Sequence, residues 1–123
     1  MKKLTVSYER KDKRGAFQEY LNSPLPWRSI NAGTMKKGAV MGNHYHKKCL
    51  AVFFILSGKA EILVKDVRKK SSPVRFKLAP TQGALIYPYE THAICFLQKS
   101  TFLLMKSAKF DPKNNDLFLS PLL

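Results

Sequence analysis

The hydrophobic residues of this chain fall into short runs rather than into long periodic segments. Nine runs are rich in β-branched and aromatic side chains, and turns rich in Gly, Pro, Ser or Lys separate them. No segment keeps the helical periodicity of about 3.6 residues. The pattern predicts an all-β fold, either a closed barrel or a jelly roll, because such folds remove exposed sheet edges. The runs are LTVSYE, AFQEYL, WRSINAGTM, LAVFFILSG, AEILVKDV, VRFKLA, GALIYP, HAICFLQ and TFLLMKS.

Turn residues mark the connections between these runs. The segments Ser57–Lys59 and Gln98–Ser100 each separate two apolar runs, and each is predicted to close a tight hairpin. The C-terminal segment FDPKNNDLFLSPLL joins turn residues to an apolar end. We therefore expect it to pack back on the barrel or on a partner.

The length of 123 residues suits a single domain over residues 1–123. No apolar run approaches the roughly 20 residues of a membrane helix, so no membrane span is expected. The basic start MKKLTVSYERKDKRG has no long apolar segment after it, and we expect a cytoplasmic protein without a secretory signal. Cys49 and Cys95 are too few for a disulfide framework and are expected to be apolar thiols rather than ligands.

The charge balance is strongly basic. The chain has 22 Lys and Arg against 8 Asp and Glu, a formal net charge of +14. Such a charge attracts anions. The basic residues are scattered and no nucleic-acid motif accompanies them, so nucleic acid is not the favoured partner. A phosphorylated small molecule such as a nucleotide-sugar would use the same field, and much of the charge belongs to a solvated surface.

Three histidines are the best candidates for chemistry. His44 and His46 are two residues apart in a strand-like segment, so their side chains share one face. His92, the third histidine, follows the strand-like run GALIYP. We predict that the three converge in one site inside the sheet or barrel, where they hold a divalent metal ion or a substrate. The alternative is that His44 and His46 are surface residues without a functional role.

The residues around the histidines resemble the two signatures of the cupin superfamily. Gly38 stands six residues before His44, Gly58 stands twelve after His46, and the second signature corresponds to GALIYPYETH. The resemblance implies a cupin-type jelly roll. Two positions depart from it, because Ala51 stands where metal-binding cupins usually place a Glu and Phe96 where an Asn is frequent. A three-His site still suits zinc, nickel or iron. Metal-bound and metal-free sites both remain open.

Further segments resemble cupins that act on sugar nucleotides. KRGAFQE at residues 13–19 is similar to an element of the dTDP-4-keto-6-deoxyhexose 3,5-epimerases, in which the arginine contacts the nucleotide-sugar phosphates. That arginine corresponds to Arg14. The phrases GNHYHKK, ILSGKAEI, YPYETHAI and FDPKNND resemble the C-terminal cupin domain of capsular polysaccharide enzymes that make UDP-deoxy-aminosugars. The dTDP-sugar 3,4-ketoisomerases are a second relative. The resemblance implies a homodimer that epimerises or isomerises a 4-keto-6-deoxy nucleotide-sugar in surface polysaccharide biosynthesis.

This chemistry removes a proton from carbon beside a ketone, stabilises an enolate and returns the proton elsewhere. Histidine suits the proton transfers because its ordinary pKa lies near neutrality. His44 or His46 would be the base if no metal binds, and His44, His46 and His92 would be ligands if one does. A metal, a Lys or a Tyr hydroxyl can stabilise the enolate oxygen.

Other side chains near the histidines have candidate roles. Tyr87 and Tyr89 are candidate general acids, although aromatic residues of strands more often belong to the core. Strand alternation sends Lys48 toward the histidine face, where it is a candidate substrate-binding residue or an ordinary surface lysine. The same alternation sends Tyr45 to the opposite face.

Two other classes of function stay open. One is a non-catalytic, sugar-binding accessory cupin, which the missing carboxylate at Ala51 favours. The other is a three-His metal-dependent cupin enzyme such as a dioxygenase, which bound iron and oxygen consumption would favour.

Overall fold

A computed structural model describes residues 1–23, 27–109 and 111–123 of the chain. These residues form strands, turns and loops, and none of them lies in a helix, which confirms the all-β prediction. Within the same ranges no helix is long and apolar enough to span a membrane. The strands are β1 Lys2–Thr5, β2 Tyr8–Asp12, β3 Gly15–Glu19, β4 Ser29–Met35, β5 Val40–Tyr45, β6 Ala51–Ser57, β7 Ala60–Asp66, β8 Val74–Leu78, β9 Gln82–Ile86, β10 Glu90–Phe96, β11 Ser100–Lys106 and β12 Phe118–Leu119.

Ten of these strands form two antiparallel sheets. The first sheet has the order β1-β9-β6-β11-β4 and the second has the order β12-β5-β10-β7-β8. Strands β2 and β3 pair only with each other, as a separate hairpin. Consecutive strands thus alternate repeatedly between the two sheets, which is the arrangement of a jelly roll.

The main core lies between the sheets. Alternate residues of β6, such as Phe53 and Ile55, meet side chains of the second sheet, such as Ile62 and Phe96, in one buried cluster. The other face of β6 is also buried, because Phe54 packs in a smaller cluster with side chains that include those of residues 20, 21 and 27. Burial on both faces explains why the LAVFFILSG run is almost continuously apolar rather than alternating.

The two predicted hairpins are turns, but they do not join paired strands. The turn at Ser57–Lys59 leads from β6 in the first sheet to β7 in the second, and the turn at Gln98–Ser100 leads back from β10 to β11. The two turns pack on each other: Lys59 N–H donates to the Ser100 hydroxyl at 3.1 Å, and a Cβ on Gly58 would lie 2.2 Å from that oxygen. Turn residues predict a change of direction but not which sheet the next strand joins.

The C-terminal segment packs back on the barrel, as its sequence predicts. Strand β12 pairs with β5, and Ser120 N–H donates to the Asn43 carbonyl at 2.9 Å. The Thr91 hydroxyl donates to the Ser120 carbonyl at 2.6 Å. Phe110, the first residue of the FDPKNND motif, lies outside the described residues. The segment therefore extends the second sheet beside the strands that carry the histidines.

Candidate active site

Two neighbouring strands bring the three histidines together. His44 lies in β5 and pairs directly with His92 of β10, and His46 follows two residues after His44. The ring centroids lie 4.8 Å apart for His44 and His92, 5.1 Å for His44 and His46, and 5.9 Å for His46 and His92. The predicted convergence is therefore a feature of the fold.

Gly42 permits this close approach of β5 and β10. Its φ of +96° lies in the region that favours glycine, and a Cβ at this position would lie 2.5 Å from the backbone oxygen of His92. The pairing register shifts between His92 and Ala93, directly opposite this glycine. The irregularity therefore lies where the histidines meet.

The histidines line a cavity with largely apolar walls. Phe53, Ile86, Ile94 and Leu104 contribute to the walls, and Ala51 lies among them. Metal-binding cupins usually carry a carboxylate at the position of Ala51, and this position is thus part of the same cavity. Apolar walls exclude water and strengthen electrostatic interactions inside the site.

Backbone carbonyls fix two of the imidazoles. His46 Nδ1 donates to the carbonyl of Asp116, and His92 Nδ1 donates to the carbonyl of Glu90 at 3.1 Å. A carbonyl only accepts hydrogen bonds, so each ring carries its proton on Nδ1 when neutral. The lone pair of each Nε2 is then available for a proton or a metal ion.

Burial keeps two of the histidines neutral. Loss of solvation lowers the pKa of His92 to about 4, assisted by the charges of His44 and His46 and opposed by the hydrogen bond to Glu90. Burial is also the main cause that lowers the pKa of His44, and the nearby positive charge of His46 and of Lys106 acts in the same direction. Both rings are therefore proton acceptors at neutral pH.

Asp116 organises the edge of the site, and sequence reasoning assigned it no role. Its carboxylate accepts the backbone N–H groups of Lys47, Lys48 and Cys49 at 2.8, 2.9 and 3.1 Å. Partial burial acts to raise the pKa of this carboxyl, but the three N–H donors and the charge of His46 together hold it below the ordinary value. One residue of the C-terminal segment thus holds both the His46 ring and the backbone that follows it.

The structure places the predicted tyrosines away from the histidine cavity. Tyr45 stacks on Phe118 with ring centroids 5.4 Å apart, which confirms that it points to the opposite face. Tyr87 is 42% exposed in the turn after β9 and does not line the cavity. Tyr89 stacks on Tyr45, with the Arg68 guanidinium 4.5 Å from its ring centroid. Tyr87 and Tyr89 are close to His92 in sequence, but the turn between β9 and β10 directs their side chains away from the cavity.

The predicted anion-binding residues also lie outside this cavity. Lys48 is exposed and lines an outer cavity together with Lys47 and Lys109. Arg14 lies in the turn of the β2–β3 hairpin, where its Nη2 is 2.8 Å from the Asp12 carboxylate and its side chain is 79% exposed. Within a single chain neither residue joins the three histidines.

The three imidazoles form a donor set that fits a divalent metal ion. One ligand atom from each of His44, His46 and His92 lies within 4.8 Å of the other two. The carbonyl hydrogen bonds at Nδ1 of two rings are the supporting contacts that metal-bound imidazoles commonly have. Cys49 and Cys95 are free thiols outside this cluster.

The two sheets with their convergent histidines form a cupin-type jelly roll, a fold that solved structures share. The chain belongs to the polysaccharide biosynthesis C-terminal domain family, whose profile matches residues 10–118. No curated protein matches the chain in sequence.

Solved structures with this fold include a capsular polysaccharide assembling protein, a ketoisomerase and an epimerase. The capsular polysaccharide assembling protein CapF from Staphylococcus aureus is 23% identical, with a TM-score of 0.73 over 94% of this chain and 32% of that one. This chain therefore spans about a third of CapF. A 3,4-ketoisomerase from Helicobacter canadensis is 20% identical, with a TM-score of 0.80 over 95% and 88% of the two chains. The dTDP-4-dehydrorhamnose 3,5-epimerase from Sulfolobus tokodaii is 25% identical, with a TM-score of 0.74 over 86% and 70%.

Proposed function

We propose that this protein is a sugar-nucleotide isomerase that epimerises or ketoisomerises a 4-keto-6-deoxy nucleotide-sugar in surface polysaccharide biosynthesis. The observation that carries the proposal is the cluster of three imidazoles in an apolar cavity, two of them with Nδ1 bound to a carbonyl. The family and the activities named for the similar structures support the same class of substrate.

The reaction begins with proton abstraction from the carbon beside the ketone. A neutral imidazole accepts the proton at Nε2, the C–H electron pair forms a C=C bond, and the carbonyl electrons move to oxygen to give an enolate. Return of a proton to the opposite face of that carbon re-forms the ketone and completes an epimerisation. In a ketoisomerisation, the hydroxyl proton on the first carbon moves to the enolate oxygen, the abstracted proton adds to the former ketone carbon, and the new ketone forms at the first carbon. No atom or electron is gained or lost overall.

His46 is the residue best arranged to be the base. Its Nδ1–H donates to the Asp116 carbonyl, so the positive charge that develops when Nε2 takes the proton faces a carbonyl dipole. Burial lowers the pKa of His44 and keeps that ring neutral beside it. His44 is therefore suited to be the second group that accepts or returns a proton.

A metal ion is the alternative occupant of the same histidines. His44, His46 and His92 would hold zinc, nickel or iron, and the metal would polarise the ketone oxygen. A three-His metal-dependent enzyme of other chemistry, such as a dioxygenase, uses this same donor set. Inactivation by a chelator and recovery with one of these metals would favour the metal site, and oxygen consumption by the iron-loaded protein would favour the dioxygenase.

The phosphates of the substrate need cationic partners outside the histidine cavity. In a homodimer, Arg14 on its projecting hairpin would reach the cavity mouth of the second subunit, and the exposed side chains of Tyr8 and Phe17 on that hairpin favour a packing partner. Lys48 would contact the phosphates from within the same subunit, through the outer cavity that it lines.

Proton exchange with solvent tests the proposed reaction. The protein is incubated in D₂O with dTDP- or UDP-4-keto-6-deoxyglucose, with and without a chelator, and NMR follows loss of the proton beside the ketone. We expect enzyme-dependent loss of that signal. No exchange with either sugar would contradict the proposed function and favour the sugar-binding accessory cupin.

A further inference from the structure

Lys106 is the inward-facing residue at the end of β11. Alternate residues of this strand, Phe102 and Leu104, pack in or against the main core, and strand alternation gives Lys106 the same direction. Lys106 lines the histidine cavity together with Leu104. The lysine therefore lies on the inner face of the barrel, where it is partly buried.

Ala51 leaves space for this side chain. Lys106 and Ala51 are direct partners in the β11–β6 pairing, and side chains of directly opposed residues project to the same face of a sheet. Both residues line the cavity. A large side chain at position 51 would compete with Lys106 for the same space, whereas the methyl group of alanine does not.

No carboxylate neutralises Lys106 in the part of the chain that the structure describes. The acidic residues Asp111 and Asp116 line the adjoining cavity, which Lys106 also borders. The Asp116 carboxylate accepts three backbone N–H groups, and that of Asp111 accepts the N–H of Lys113 at 3.0 Å. A cation at an apolar wall with no ion-pair partner is suited to an anionic ligand or intermediate.

We propose that Lys106 is a catalytic residue whose ammonium group holds the enolate oxygen. This role rests on the proposed isomerase function. As an imidazole removes the carbon-bound proton, negative charge moves from the broken C–H bond to the former ketone oxygen, and Lys106 compensates that charge without transferring an electron or an atom. When the proton returns to carbon, the carbonyl re-forms and Lys106 is unchanged.

Lys106 and a divalent metal ion are alternative cations for stabilising the enolate oxygen. A divalent metal on the histidines would stabilise the same oxygen, and it would lie in the cavity that Lys106 lines, where like charges repel. With Lys106 in place, the enolate is stabilised by a group that the chain itself supplies. Exchange should accordingly continue in the presence of a chelator.

Substitution of Lys106 tests the proposal. Lys106→Met keeps the apolar stem and removes the charge, and Lys77→Met, at an exposed position of β8, is the matched control. With dTDP-4-keto-6-deoxyglucose in D₂O, we expect kcat for exchange to fall by about a hundredfold in Lys106→Met, as for loss of a charge-stabilising donor, with KM changed by less than about threefold. Lys77→Met should exchange as the wild type does, and thermal unfolding should show that both variants fold.

Chemical rescue distinguishes catalysis from packing. Lys106→Ala should be slow, and added propylammonium should restore part of its exchange rate, whereas propylammonium should not affect Lys77→Met. Wild-type exchange with an unaltered rate in Lys106→Met would overturn the role of Lys106 alone. A slow Lys106→Ala that propylammonium does not accelerate would assign the loss to packing and overturn it as well. Absence of exchange in the wild type would overturn the proposed function together with this inference.

Discussion

The histidine cavity and the β2–β3 hairpin both carry residues that we propose contact the substrate, but their ionisable groups lie in opposite environments. In the cavity, burial lowers the pKa of His92 to about 4 and also lowers that of His44. On the hairpin, Arg14 is 79% exposed, and its hydrogen bonds to Asp12 lower the pKa of that carboxyl. In the cavity, burial thus keeps these two histidines neutral. On the hairpin, Arg14 and Asp12 stay charged and form an ion pair in solvent.

The difference indicates where chemistry and where recognition can reside. Groups held at fixed positions in an apolar cavity can stabilise a transition state, because they need little reorganisation as charge develops. An exposed ion pair contributes little to stability, so Arg14 can exchange Asp12 for a phosphate at little cost. We therefore expect changes in the cavity to affect kcat and changes on the hairpin to affect affinity.

The largest effect is expected from the histidine pair. His44→Ala and His46→Ala should each slow solvent deuterium exchange by about a hundredfold or more, because proton transfer loses a positioned base or acid. If the wild type exchanges in the presence of a chelator, the histidines are acid–base groups; if chelation abolishes exchange, they are ligands. Retention of full exchange by either variant would contradict the assignment of the cavity as the reacting site.

The pH dependence of stability tests the burial of His92. Its folded-state pKa of about 4 lies below the ordinary value of 6.5, so the unfolded chain binds the proton more readily. The contribution of neutral His92 is complete above pH 6.5 and is lost as the pH falls toward 4. We expect the free energy of unfolding to fall by on the order of 3 kcal/mol across this range. His92→Gln should lose much of this dependence, and an unchanged profile would show that His92 is solvated.

A moderate effect is expected at Asp116. Asp116→Ala leaves three N–H groups without their carboxylate and should lower the free energy of unfolding by about 1–2 kcal/mol. Exchange should slow by about tenfold, because the segment that holds His46 becomes less ordered. Asp111→Ala, which affects one N–H in the same segment, is the control for urea unfolding and for exchange. Equal behaviour of the two variants would remove Asp116 from the support of the site.

The smallest effect is expected at Arg14. Arg14→Ala should leave the free energy of unfolding and the geometry of the histidine cavity essentially unchanged, because the side chain is exposed. If the hairpin reaches a second subunit, affinity for dTDP or UDP should fall severalfold, and the loss should shrink as salt is added. Calorimetric titration measures the affinity and its dependence on salt. Equal, salt-insensitive affinities of the two proteins would exclude a role for Arg14 in binding.

The all-β class and the shared face of His44 and His46 could be predicted from strand patterns, whereas the cupin resemblance was needed to expect His92 beside them. His44 and His46 share a face through their two-residue spacing, and His92 reaches them through the pairing of β10 with β5. Lys106 was missed although the same alternation carries a signal, since it is the third of the inward positions Phe102, Leu104 and Lys106.

Asp116 has no comparable sequence signal. Its contacts join residues 67 to 70 positions apart, so only the return of the C-terminal segment to β5 brings them together. The prediction that the two turns close hairpins was wrong for a related reason. A turn such as Ser57–Lys59 has the same composition whether it joins strands of one sheet or of two. Long-range pairing decides both features.

The most direct test of the account is a crystal structure of the protein with dTDP-4-keto-6-deoxyglucose bound. We expect the keto-sugar ring in the histidine cavity, with the carbon beside the ketone about 3–3.5 Å from a histidine Nε2 and the ketone oxygen directed toward Lys106. The diphosphate should extend toward the outer cavity. A sugar ring bound outside the cavity, or one whose ketone lies beyond reach of all three imidazoles, would contradict the account.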